Sequence, residues 1–561
     1  MKKIPFLLLV GLLGFSAFAT GTGEEGDTSA PAAIMPTGDF EWEYMADTSP
    51  ITIKFWQNTW GGCRPAVRWD DGLVSQFITQ QTGVTLDMEV LEGEEDEVLA
   101  PMIASGDLPE MLAFGNYTSP LLQQIIDAGM VHAIGDLIDE YAPKTWDLVP
   151  PAYHTYHTAD DGKMWYWAGF MYYAEVMEAF EQINVPFTSG EGIMFTRRDI
   201  LEAYGKDDIT TLSEYDDYLR FAHANYPDVL PIDFGGSVSD LLFGRAGNNM
   251  FRGTFGMHVS GYYPQGDEVQ LLFRDPKYLE FLQWLNGLYQ DGLITKGQFT
   301  EQTQQSEERL YSAGYVSTVG AIFNVDNTVN TTIRQNDGND DRTYTDIGPI
   351  VKQGVDFTKP TIRNKGYNGL VITKNAERPD RAVRFLQWAL TEEGQTTLIL
   401  GAEGETWDWV DGKKVMKQSA QDELNASFVD YASKYGVLCR WVPFCDTYYW
   451  TLYVDDYLGA SPEHRATMEQ RLKPFVVDAW DLGFAELASS WLPGSDVDIK
   501  HTQVEEAMAV AASRMVVADS ADELMKIYDA ALEEIDRLGA RDVETALTEE
   551  HRRQLAQLGR E

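Results

Sequence analysis

NAERPDRAVRFLQWALTEEGQTTLILGAEGETWDWVDGK, residues 375–413, is the stretch whose reading decides the fold. In its first half Ala382, Phe385, Leu386, Ala389 and Leu390 recur at three- and four-residue spacing, which predicts a surface helix. Arg381, Arg384 and Gln387 fall outside that stripe, and Pro379 stands where a first helical turn tolerates proline. Gly394 marks a stop or bend. The second half, GAEGETWDWVDGK, mixes glycine, carboxylate and tryptophan and ends in a DGK turn. Composition alone reads it as a hairpin whose tryptophans are core. A loop that exposes aromatic faces is the functional alternative.

Working outward, 561 residues exceed what one compact core organises, so two or more domains are expected. Apolar residues make up 44% and aromatics 12%, which suits a folded, aromatic-rich protein. The formal charge of −45 argues against a nucleic-acid or anionic-membrane partner, because no basic excess neutralises phosphates. Lys2 and Lys3, the apolar run Ile4–Phe15 and the triplet Ala17-Phe18-Ala19 form a secretory signal, residues 1–19, with an A-x-A cleavage site. Residues 20–38 read as a flexible leader. Of the three cysteines, Cys439 and Cys445 could close a small loop and leave Cys63 free, and other pairings remain open.

The spacing Pro379…Ala382…Arg384-Phe385-Leu386…Trp388…Glu393-Gly394-Gln395, followed by Gly401…Glu403-Gly404-Glu405…Trp407…Val410-Asp411-Gly412-Lys413, resembles extracellular solute-binding protein family 1. Within it the stretch is similar to the LplA-like subgroup that serves oligosaccharide ABC importers. Other stretches resemble the same family: ASGDLPE at 104–110, GMVHAIGDLIDEYAP at 129–143, DDGKMWYWAGF at 160–170, IMFTRRDILEAYG at 193–205 and DPKYLEFLQWLNGLYQDGLI at 275–294. The resemblance implies an α/β, two-lobed periplasmic-binding-protein fold (type II-like), each lobe a sheet flanked by helices, with a ligand cleft between them. It implies lobe one at 39–170 plus 350–413, lobe two at 171–349 plus 414–540, and a C-terminal tail at 541–561. Many relatives carry a lipobox cysteine directly after the signal. Here Thr20 follows Ala19 and the first cysteine is Cys63, so a lipid anchor is not expected. Relatives often bind calcium after the 193–205 element, but HANYPDVLPIDF lacks alternating oxygen ligands, so no calcium site, metal or cofactor is expected.

ITIKFW at 51–56 is a β-branched strand, and a polar loop after a first strand is where α/β sheets place ligand contacts. Trp56, Asn58 and Trp60 are therefore ligand-binding candidates, as is Asn116 after the strand Met111–Phe114. Trp165, Tyr166 and Trp167 are consecutive and cannot all face one core, which adds Trp165 and Trp167. Asn324 and Asp326 end the strand-like YVSTVGAIFN. Trp407 and Trp450 complete the set, and Trp409 would share a face with Trp407 on a strand. His132 reads as a surface or satisfied histidine rather than a ligand, and Tyr278, Phe281, Leu282, Leu285 and Leu288 as core.

The sequence has no H-E-x-x-H, G-x-S-x-G or Walker loop and no strand-placed G-x-G-x-x-G. Indole plates covering the apolar face of a sugar, with Asn and Asp at its hydroxyl rim, fit the residues better than catalysis does. The expected function is capture of an oligosaccharide outside the cytoplasm, periplasmic or extracellular, by a monomer that delivers it to the permease subunits of an ABC importer. The alternative is a secreted carbohydrate-active hydrolase or lyase.

Overall fold

The computed structural model describes residues 40–57, 72–88, 95–117, 119–149, 153–154, 157–159, 161–169, 193–233, 245–257, 262–299, 303–320, 325–357, 359–361, 368–426, 428–435, 444, 476–478 and 495–557. The expected signal and leader, the three cysteines, Asn58, Trp60, Asn324 and Trp450 lie outside these residues.

The first sheet begins with β1 (Ile51–Gln57), α1 (Leu73–Thr82), β2 (Val84–Met88), α2 (Glu95–Ser105) and β3 (Met111–Phe114). Both connections run strand to helix to parallel strand, so β1 pairs in parallel with β2 and with β3. Gly83 makes the first turn-back possible: its φ is 72°, and a Cβ there would stand 2.2 Å from the Thr48 carbonyl oxygen. Helices α3 (Pro120–Asp127) and α4 (Ile134–Tyr141) follow.

The second sheet contains β4 (Ile193–Arg197), α5 (Arg198–Tyr204), α6 (Leu212–Asn225), β5 (Leu230–Asp233), α7 (Arg245–Phe255), the hairpin β6 (Tyr262–Gln265) and β7 (Glu268–Leu271), α8 (Pro276–Gln290), α9 (Thr303–Tyr311) and β8 (Tyr315–Gly320). A π-helical turn at Val325–Asn330, α10 (Thr331–Asp337) and β9 (Tyr344–Ile347) complete it, in the order β5-β8-β4-β9. After β10 (Lys359–Thr361) the chain returns as β11 (Gly369–Ile372), antiparallel on β3, so the first sheet reads β11-β3-β1-β2.

Alternation along these strands splits the first lobe's core in two. Ile53, Phe55, Met111, Ala113, Leu370 and Ile372 face one side, and Trp56, Leu112, Phe114 and Val371 the other. Both faces are covered, as a largely parallel sheet requires. The second lobe has its own core, where all five residues read as core on α8 are 0–1% exposed. Two cores around two sheets make the fold a two-lobed α/β architecture.

The opening stretch is α11 (Pro379–Leu390), α12 (Glu392–Leu400) and the hairpin β12 (Trp407–Val410) and β13 (Lys413–Met416). Its helix is a correction to the surface reading, since every residue from Asp380 to Leu390 is buried. The polar stripe is covered by residues 41–49 and by α4, and its polar groups are paired there. Arg378 bridges Asp380 at 2.8 Å and Asp47 at 3.1 Å. Arg381 reaches Asp47 at 3.2 Å and donates to the Ser49 and Thr82 carbonyls. Arg384 donates to the Tyr141 carbonyl, and Gln387 accepts the Tyr44 amide.

The chain beyond Lys413 also differs from expectation. Ala420 on α13 (Gln418–Ala426), Tyr431 on α14 (Phe428–Tyr435) and Phe444 belong to the first core, where the Phe444 ring lies 5.7 Å from Phe55. The passage to the second core therefore follows residue 444. There β14 (Val476–Asp478) pairs with β10, and α15 (Asp496–Val516), α16 (Ala521–Arg537) and α17 (Ala540–Gln557) pack on the second lobe. Far from a marginal tail, α17 buries Ala540, Val543 and Leu547, and its Glu544 and Thr548 accept the Leu271 and Val269 amides of β7.

Candidate functional site

The C-terminal ends of β1 and β3 form one edge of the first sheet. Trp56 stands at this edge but is 4% exposed and packs with Leu112 and Phe114, so its indole is a wall of the core. Beyond Phe114 the chain turns through Gly115, Asn116 and Tyr117, and Ser119 donates its amide to the Asn116 carbonyl at 3.1 Å. The Asn116 side chain is exposed. Gly369 lets this loop settle onto β11, since a Cβ there would meet the Tyr117 Cα at 3.1 Å.

Tyr117, half-buried, stacks on half-buried Tyr166, with ring centroids 5.6 Å apart and planes inclined by 22°. His157 meets both rings edge-on, at 6.1 Å from Tyr117 and 5.6 Å from Tyr166. Behind them Tyr153 lies 4.7 Å from His157 and 4.4 Å from Trp167, and its hydroxyl both donates to the Ala168 carbonyl and accepts the Ala168 amide at 2.8 Å. Trp167 is fixed by reciprocal backbone hydrogen bonds with Leu370 and is 2% exposed in the first core. The result is a paired tyrosine plate, backed by a rigid aromatic stack, beside an exposed amide. Such a plate covers an apolar ring face, and the amide can donate and accept at its rim.

Tyr166 is absent from the sequence candidates although it sits between two of them. The three consecutive aromatics carried the signal: if Trp167 enters one core, Tyr166 takes the other face. Trp165 is held apart, its Nε1 donating to Asp161 at 2.9 Å and the Lys163 ammonium standing 5.3 Å above its ring. Asp326 lies in the π-helical turn between buried Val325 and Val329, and its side chain is outside the described residues. His132 places Nδ1 3.1 Å from the Lys374 ammonium, and burial, then Lys374, push its pKa down.

Trp407 is elsewhere. It is 5% exposed, and its Nε1 donates to the Gly401 carbonyl at 3.0 Å. The Trp409 ring meets it edge-on at 5.7 Å, so the two share a face of β12. They line a pocket of about 480 Å³ together with Trp42, Tyr44 and Met45, which precede β1, and with Phe77 in the middle of α1 and Gln81 near its end. Because α1 runs from the end of β1 back to the start of β2, this pocket and Asn116 lie toward opposite ends of the sheet. Among the described residues no group of three or more His, Cys, Asp or Glu side chains is placed to hold a metal. No described helix is long and apolar enough to cross a membrane.

Two sheets with separate cores, the chain passing between them more than once, define a two-lobed α/β fold. The chain belongs to the bacterial extracellular solute-binding protein family, whose model matches residues 69–396. Its fold is similar to that of the alginate-binding protein AlgQ2 solved without calcium ion, at 18% identity and TM-score 0.64, covering 90% of this chain and 98% of that one. It is also similar to the ABC-transporter substrate-binding protein FusA of Streptococcus pneumoniae in complex with kestose, at 15% identity and TM-score 0.65, covering 90% and 100%. A solute-binding protein from Bifidobacterium longum infantis, described as binding HMO and associated with an ABC transporter, matches at 14% identity and TM-score 0.63, covering 90% and 99%. No curated protein matches the sequence. The family and these neighbours are described as binding proteins, two of the neighbours in connection with an ABC transporter.

Proposed function

We propose that this protein is secreted, captures an oligosaccharide in the cleft between its lobes as a monomer, and delivers it to the permease subunits of an ABC importer. The observation that carries the reading is the half-buried Tyr117–Tyr166 plate beside Asn116, at the end of the sheet where α/β folds present ligand contacts. The plate would take the C–H face of one sugar ring, and Asn116 would serve its hydroxyls. That three neighbours of this fold carry alginate, kestose or HMO in their descriptions supports the ligand class. The basic, apolar N-terminal run supports export.

Titrating the secreted chain with a panel of neutral and acidic oligosaccharides, followed by tryptophan and tyrosine fluorescence and by chromatography of the ligand, tests this. Saturable binding with the ligand recovered intact is the expected result. Steady conversion of the ligand to smaller products would overturn it in favour of a carbohydrate-active hydrolase or lyase.

A further inference from the structure

The pocket beside the β12–β13 hairpin has no part in the cleft reading, and its lining has a chemistry of its own. Five aromatic rings border it: Trp42, Tyr44, Phe77, Trp407 and Trp409. Trp409 is 53% exposed, the highest among the large hydrophobic residues of β12 and β13, so an indole face is open to an incoming group. Glu41, Glu392, Glu393 and Glu403 stand around these rings against one amine, Lys414. Acids are common on so acidic a chain, but four of them around an aromatic cavity of about 480 Å³ make a specific environment.

Lys414 shows what that environment selects. Its ammonium lies 5.5 Å over the Trp409 ring, and it donates to Glu392 and to the Thr396 hydroxyl, both at 2.8 Å. A cation is thus already held between an indole face and a carboxylate. Glu393 is engaged by the Gln81 amide, and among the described residues neither Glu393 nor Glu403 has a cationic side-chain partner. The Tyr44 phenol reports the same field: burial first, then Glu393 and Glu41, push its pKa up to about 12.

We propose that this pocket is a second ligand site, separate from the cleft, for a small organic cation of the quaternary ammonium kind. The ring quadrupoles attract a diffuse positive charge, and a methylated ammonium needs no directed hydrogen bonds from the indole walls. Glu393 and Glu403 balance its charge from the rim. A neutral sugar would gain stacking on Trp409 but no attraction from those two carboxylates.

The test uses choline and its neutral isostere 3,3-dimethylbutan-1-ol, added to the intact secreted chain at constant ionic strength, with the indole NMR resonances as readout. The Trp409 resonance is assigned with Trp409→Phe. Choline should shift it saturably and bind about tenfold more tightly than the alcohol. Glu403→Gln, read at the Trp409 resonance, and Trp409→Ala, read at the resonance of neighbouring Trp407, should each weaken choline at least severalfold, with melting temperature and oligosaccharide binding unchanged. Equal affinity for the isostere, no saturation by choline, or saturation by a neutral oligosaccharide instead would overturn the proposal. Because the readouts are the Trp409 and Trp407 resonances, failure here leaves the cleft reading standing, and failure of the cleft reading leaves this site intact.

Discussion

Two single residues have consequences that their chemistry makes measurable. Tyr166 offers its ring in a stack with Tyr117, so Tyr166→Ala removes one aromatic partner of about 1 kcal/mol and should weaken oligosaccharide binding about fivefold by isothermal titration. Melting temperature should fall by a few degrees at most, since the half-buried ring also leaves its stack on Tyr117. Asp47 acts on stability. Burial pushes its carboxyl up, but the Ser49 hydroxyl and amide, then Arg381 and Arg378, outweigh burial and hold it at about 2, below its ordinary 3.8. A carboxylate depressed in the folded state stabilises fully above its unfolded value, and that stability is lost as pH falls from about 4 to about 2. Urea unfolding across that range should show the loss, and Asp47→Asn should remove that part of the pH dependence. The variant should also cost about 3 kcal/mol at neutral pH, since it leaves two buried arginines short of a counter-charge.

At the scale of elements, the junction of α11 and α12 is decided by one side chain and one missing one. Thr391 caps α12 by accepting the Gly394 amide at 3.1 Å, and its hydroxyl donates to the Trp388 carbonyl at 2.6 Å. A Cβ on Gly394 would stand 2.0 Å from that same carbonyl oxygen, so neither helix can keep its place. Gly394→Ala should destabilise the first lobe by about 2 kcal/mol or more, read as a fall in melting temperature. The sequence showed a helix, a bend near Gly394 and a turn at Asp411-Gly412, where both residues have positive φ. It did not show that Arg381, Arg384 and Gln387 are buried. Periodicity separates apolar from polar positions, and a polar stripe paired with a distant segment looks the same as a solvated one.

For the whole molecule, the proposed capture of an oligosaccharide between the lobes carries the expectation that they close on it. Small-angle scattering should record a smaller radius of gyration with saturating oligosaccharide than without. A ligand at 100 times its Kd should add about 2.7 kcal/mol to the stability of the form that binds it. An unchanged radius on saturation would argue against closure. The lobe boundaries were only partly legible. The strand at 369–372 pairs with β3 of the first sheet, Ala420, Tyr431 and Phe444 belong to the first core, and α17 joins the second.

The sequence by itself determined the alternating strands, the amphipathic α8, the glycine-ended α1, and through its recurrent motifs the family. These follow from local spacing, where each residue's neighbours along the chain set its conformation. It also marked Asn116 and the three consecutive aromatics at 165–167. Tertiary structure alone decided which ring of the three joins the plate, that Trp56 and Trp167 are walls of the core, and that Trp407 and Trp409 line a pocket toward the other end of the sheet. Those outcomes depend on which distant segment covers a face: Tyr117 for Tyr166, Tyr153 for Trp167, and residues 41–45 for the hairpin. Contacts that reach beyond a residue's own helix or strand leave no periodic trace in one sequence, because the chain encodes them only through the packing of the whole lobe.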